Sequence, residues 1–199
     1  MHKGLILLTK AEDREDAQSK ADEFMEGYGE GRVWDWYVIG GRWSGSLNEN
    51  DMKFNVLVKE KYPIEEGHFG YTDRFIKENR EGLQELWESL GETSTNPYTR
   101  DQYNHEGAED DIKPLNECLV VVKDWQKGHE DELKRCEEQI AEYHKRNDRG
   151  MEGHLLVTKG NLMAEYFCFE TSVYNIDEYD YRLPEDTNGW YAVMIDMHN

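Results

Sequence analysis

The chain has 199 residues, with 43 Asp or Glu against 23 Lys or Arg, and so carries a formal charge of -20. A body of this length needs neither disulfides nor a metal to hold a core, and its acidic field opposes direct binding to nucleic-acid phosphates or anionic membrane surfaces. Hydrophobic residues at 37% and aromatic residues at 12% place that charge on the exterior of a folded domain and exclude a disordered chain.

Met1 to Gly4 leads into a short apolar run, Leu5 to Leu8, too brief for a signal peptide or a membrane span, so a cytoplasmic protein is expected. Gly4 to Thr9 reads as a buried strand. After it Ala17, Ala21, Phe24, Met25 and Tyr28 recur at helical spacing, with Asp13 as N-cap and Gly27, Gly29 and Gly31 as the stop. The G-x-G spacing there follows a helix, whereas a nucleotide loop would link a strand to one. Val33 to Ile39 and Met52 to Val58 read as two strands of a hairpin across a polar turn. From Thr72, a helix cap, Phe75, Ile76, Leu83, Leu86, Trp87 and Leu90 mark one face of a helix closed by Gly91. The stretch from Glu92 to Pro114 is polar, acidic and without period, which predicts a long loop.

The second half repeats the order strand then helix. Cys118 to Val122 is a continuous apolar run, and Leu133, Cys136, Ile140 and Tyr143 form a helical stripe. His154 to Thr158 and Leu162 to Phe169 flank Lys159-Gly160-Asn161 as a second hairpin, and Trp190 to Met197 is a closing strand after an acidic loop. The expected class is α+β, a mixed or antiparallel sheet packed with about three helices, and the repeated order suggests two ferredoxin-like halves. Residues 1–199 read as one domain, with subdomains 1–92 and 115–199 joined by the acidic loop 93–114 as the alternative.

Three widely spaced cysteines, Cys118, Cys136 and Cys168, make neither a disulfide framework nor a C-x-x-C metal knuckle. The segment Trp34-Asp35-Trp36-Tyr37-Val38-Ile39-Gly40-Gly41-Arg42-Trp43-Ser44-Gly45 is the least ordinary of the chain. Side chains two apart share a strand face, so Trp34 and Trp36 project together while Asp35 and Tyr37 point the other way. Gly40 and Gly41 permit a sharp turn whose free amides form an anion nest, and Arg42 adds a guanidinium fork. With Trp43, this set suits a planar anionic ligand such as a nucleotide. The competing reading makes the tryptophans core, the glycines a bulge, and Arg42 the partner of Asp35 or Glu49.

This segment, together with Val193-Met194-Ile195-Asp196-Met197-His198, resembles segments of a family of phage and bacterial proteins whose activity is unassigned. The resemblance covers two short stretches and implies a phage-associated protein but no mechanism. Asp196 and His198 also lie two apart at a strand end, where a third ligand such as His2, His68 or His105 would complete a metal site. The pairs Glu65-Glu66 with His68, and Asp101 with His105, have acid/base spacing only. There is no H-E-x-x-H, Walker A or G-x-S-x-G motif, and no cofactor is expected. The function expected is a non-enzymatic binding protein, phage-encoded and opposing a host system, that captures a small anionic, nucleotide-like ligand. The alternatives are an acidic inhibitor or nucleic-acid mimic blocking a basic groove of a host enzyme and a metal-dependent hydrolase.

Overall fold

The computed structural model describes residues 2–28, 35–63, 71–99, 109–153 and 172–198. Strand β1 (His2–Lys10) is followed by helix α1 (Arg14–Tyr28), whose first turn is capped by Asp13, its carboxylate accepting the Asp16 N–H at 2.9 Å. The helix runs through Gly27 to Tyr28, and Gly29 and Gly31 lie outside the described residues. Strand β2 (Trp36–Ile39) and a 3-10 turn at Gly41–Trp43 come next.

Two apolar runs that read as strands are helical. Met52 to Val58 lies inside helix α2 (Glu49–Lys61), where Phe54 and Val58 are buried four residues apart while Val56 between them is 51% exposed. Acids in its first turn and lysines in its last suit the helix dipole and favour that outcome over a hairpin. Thr72 caps α3 (Asp73–Glu78) as expected, accepting the Phe75 N–H at 3.2 Å, but the single helix expected from there breaks at Asn79 and continues as α4 (Arg80–Ser89). Within the expected loop 92–114, a short strand β3 (Ile112–Pro114) forms. Cys118 to Val122 belongs to the 31-residue helix α5 (Leu115–Lys145), which buries Leu115, Cys118 and Val122 on one face and leaves Val120 58% exposed. The expected hairpin at 154–169 lies outside the described residues, while strands β4 (Ser172–Asn175) and β5 (Trp190–His198) complete the sheet.

The class is therefore α+β with a mixed sheet of five described strands. β5 sits in the middle. Along one edge it pairs antiparallel with β1 over its whole length, from His2 opposite His198 to Lys10 opposite Trp190. Along the other it meets β2 (Trp36 opposite His198) and then, end to end, β3 (Ile112 opposite Val193). β4 runs parallel to β1 on the far side. The described strands thus form one sheet drawing on both halves of the chain, and two separate ferredoxin-like halves are not found among the described residues.

Alternate side chains of β1 and β5 enter different cores. Leu5, Leu7, Val193, Ile195 and Met197 pack under Ala17, Ala21, Phe24 and Met25 of α1. Ile6, Leu8, Ala192 and Met194 pack under Leu115, Cys118 and Val122 of α5. Coverage on both faces is why these strands are continuous apolar runs rather than alternating ones. Burial pushes the Cys118 thiol up to about 12, so it packs as a small apolar group. A third cluster, Phe54, Val58, Leu83 and Trp87, joins α2 to α4. No helix among the described residues is long and apolar enough to cross a membrane.

On the α5 side, Trp43 and Trp125 close over Gly4 of β1. A Cβ there would lie 2.8 Å from Trp125 Cη2 and 2.9 Å from Trp43 Cδ2. Gly4→Ala is therefore expected to lower stability by about 1–3 kcal/mol through overpacking, read as a lowered urea midpoint with an unchanged slope.

Candidate functional site

The segment 35–47 is built from β2 outward. Tyr37 and Ile39 face the α1 core, and the Tyr37 hydroxyl donates to Asp22 at 3.2 Å. Burial raises the Asp22 carboxyl above its ordinary value, with this hydrogen bond opposing the rise. Trp36, 40% exposed, faces the other way and stacks on its cross-strand partner His198, ring centroids 5.6 Å apart and planes 4° from parallel. His198 Nδ1 lies 2.7 Å from Asp35, and that hydrogen bond holds the Asp35 carboxyl below its usual range. Trp34 lies outside the described residues.

After Ile39 the chain leaves the sheet, and its amides are taken up one by one. Gly40, at φ 81°, donates to the Met194 carbonyl at 2.8 Å, filling the gap between β2 and β3 along β5. The Arg42 N–H donates to Asp196 Oδ2 at 3.0 Å, and the Trp43 and Ser44 amides close the 3-10 turn on Gly40 and Gly41. The Gly45 N–H and the Ser44 hydroxyl both donate to Asp111, at 2.8 and 3.0 Å. Asp196 and Asp111 are buried. In place of one anion held by free amides, the Arg42 and Gly45 amides each meet a different buried carboxylate of the protein itself, and those of Gly40, Trp43 and Ser44 meet backbone carbonyls. Gly41 is obligatory, since at φ 53° a Cβ would stand 2.6 Å from Asp196 Oδ2.

The Arg42 side chain is exposed and pairs with neither suggested acid. Asp35 meets His198, and Glu49 meets Lys53 at 2.9 Å. Asp196 and His198 share a face of β5, but one holds a backbone amide and the other a carboxylate. His68, His105 and the paired acids suggested beside them lie outside the described residues, as does the side chain of His2. Among the described residues, no group of three or more His, Cys, Asp or Glu side chains is placed to hold a metal ion.

The turn that buries Asp196 also swings Trp43 inward, where its ring meets Trp125 edge-on, centroids 5.7 Å apart at 83°. These two rings form the end wall of an open cleft of about 600 Å³ between α2 and α5. Tyr71 and Tyr98, 5.6 Å apart, form a second aromatic wall. Burial pushes the Tyr98 hydroxyl up to about 12 and also raises that of Tyr71, so both remain neutral at physiological pH. From α2 the cleft receives Asp51, Asn55, Val56 and Lys59, and from α5 Asp124, Lys127 and Asp131. Asp124, Asp131, Lys59 and Lys127 make no ion pair among the described residues.

No protein-family model matches this chain, and comparison with characterised proteins and with solved structures finds no match. Of the candidate site residues that are described, Trp43 alone lines the cleft. Trp125, Tyr71, Tyr98 and the two aspartates of α5 carry no motif. The signal that could have found them is the i, i+7 spacing of Asp124 and Asp131 beside Trp125 on a helix.

Gly41→Ala is expected to cost about 2 kcal/mol or more, through positive φ and collision with Asp196, seen as a lowered melting temperature. Asp35 has a depressed folded-state pKa, so its stabilising contribution is complete above the ordinary 3.8 and is lost as pH falls through the lowered value. Asp35→Asn should therefore flatten the acid limb of the stability curve below that pH, measured by urea midpoints carried into acid.

Proposed function

We propose that this chain is a binding protein that holds a basic protein partner in the cleft between α2 and α5. The observation that carries the reading is the cleft itself. Two tryptophans and two tyrosines wall it, and two aspartates without ion pairs among the described residues face it, on a chain of charge -20. Aromatic anchors in a concave site provide contact area at low entropic cost, and a surrounding acidic field steers a basic partner towards it. The resemblance of residues 34–45 to segments of phage and bacterial proteins favours a partner in a bacterial host.

A small anionic ligand is the second reading, and the exposed Arg42 guanidinium, which has no partner among the described residues, is what favours it. It would have to act without the neighbouring amides, which Asp196 and Asp111 already occupy. Its mark is a nucleotide-induced rise in melting temperature that Arg42→Ala removes.

The cleft reading is tested by capture from a bacterial lysate on immobilised wild-type protein and on Val56→Trp. That change is neutral in charge and fills the cleft from a position already half exposed. The expected result is a basic protein retained by the wild type, released as salt rises from about 0.1 to about 0.5 M, and absent from the variant. Equal retention on both would assign the capture to bulk charge and overturn the cleft reading.

A further inference from the structure

Resting on that reading, we infer that the group received in the cleft is an arginine side chain of the partner, held between the Trp43, Trp125 and Tyr98 rings and the carboxylates of Asp124 and Asp131. The chemistry of the lining selects this class. Flat indole and phenol faces attract cations through their quadrupoles, and a planar guanidinium stacks on them in a way that a compact ammonium does not. A carboxylate at the edge of such a stack takes the guanidinium fork in two parallel hydrogen bonds.

Asp124 and Asp131 lie seven residues apart on α5, so their Cα atoms are separated by about 10 Å along one face of the helix. One carboxylate can meet the fork while the other remains for a second basic residue of the same segment. Lys59 and Lys127 also line the cleft and would repel a lone cation. They are suited instead to donate to main-chain carbonyls of the segment that carries the arginine, which argues for a peptide rather than a free organic cation. Tyr71 and Tyr98, being neutral, bring no charge that would compete for the fork, and the Tyr71 hydroxyl is committed to the Tyr62 carbonyl at 2.6 Å. The cleft volume lies within the range that encloses a small ligand.

The chain holds six tryptophans, and each supplies one indole N–H signal in a 15N-labelled sample, with Trp43 and Trp125 identified by Phe substitution. The full chain is titrated with the capped peptide Ac-Gly-Arg-Gly-NH2 and, separately, with its citrulline counterpart, which has the same shape without charge. Saturable shifts concentrated on Trp43 and Trp125 are expected for the arginine peptide, with affinity about tenfold above that of the citrulline peptide. The double variant Asp124→Asn, Asp131→Asn, at surface positions where folding should persist, should remove that difference. An equal response to both peptides, a response centred on exposed Trp36, or no change at Trp43 and Trp125 would overturn the arginine assignment. If such a result accompanies a basic protein lost on Val56→Trp, the cleft keeps its role and only its occupant is wrong. If Val56→Trp captures the same proteins as wild type, the cleft reading falls as well.

Discussion

The carboxylate of Asp196 stands where three segments meet. It projects from the middle strand of the sheet, is 1% exposed, and accepts the Arg42 amide just past the point where β2 ends. A carboxylate taken out of water must recover its hydration from fixed donors. The backbone therefore turns towards it, and only glycine can occupy position 41 in that turn. Asp111 repeats the device a few residues on, where it collects Ser44 and Gly45 and ties the loop to the start of β3. Between them the two acids hold the chain on either side of the gap between β2 and β3 along one edge of β5. They also fix the direction in which Trp43 leaves the turn, and so the position of the cleft wall.

The acidic character of the chain thus has two distinct expressions. Inside, a few carboxylates serve as local counterparts to backbone amides and act over hydrogen-bond distances. Outside, the remaining acids set a field that reaches roughly a Debye length, about 10 Å at 0.1 M salt. The cleft lies where these meet, since its aromatic wall is positioned by the internal acids and its rim carries external ones. A Trp/Gly/Arg segment that looks like a phosphate site in the sequence also supports, through Trp43, the wall of a cleft lying on its other side.

What could be read from the sequence follows from which interactions are local. β1, α1 and β5 were legible because their apolar residues are spaced by their own geometry, and the caps at Asp13 and Thr72 announce themselves by residue type. Met52, Phe54, Val56 and Val58 alternate like a strand, yet the buried pair is Phe54 and Val58, and the period of two is incidental. At Cys118 to Val122 the β-branched run concealed a helix whose inner face is Leu115, Cys118 and Val122. β4 gave no signal, being four residues long and paired in parallel with a strand more than 160 positions earlier. The cleft was out of reach for the same reason, because α2 and α5 supply its sides from segments some 70 residues apart.

The position of β5 in the middle of the sheet has a consequence for synthesis. β1 is made before the other described strands, with Leu5 to Leu8 destined for complete burial, yet its two strand partners among the described residues lie beyond residue 171. At ordinary translation rates of about 5–20 residues per second, roughly 10–40 s pass between the two. During that interval α1 can fold back and shield one face of β1 through contacts close in sequence, while the face destined for α5 has no such cover. A short apolar strand waiting with open edges invites chance pairing with other chains. The dense charge that follows it, Glu12 to Asp16, gives the waiting segment a repulsive flank of its own.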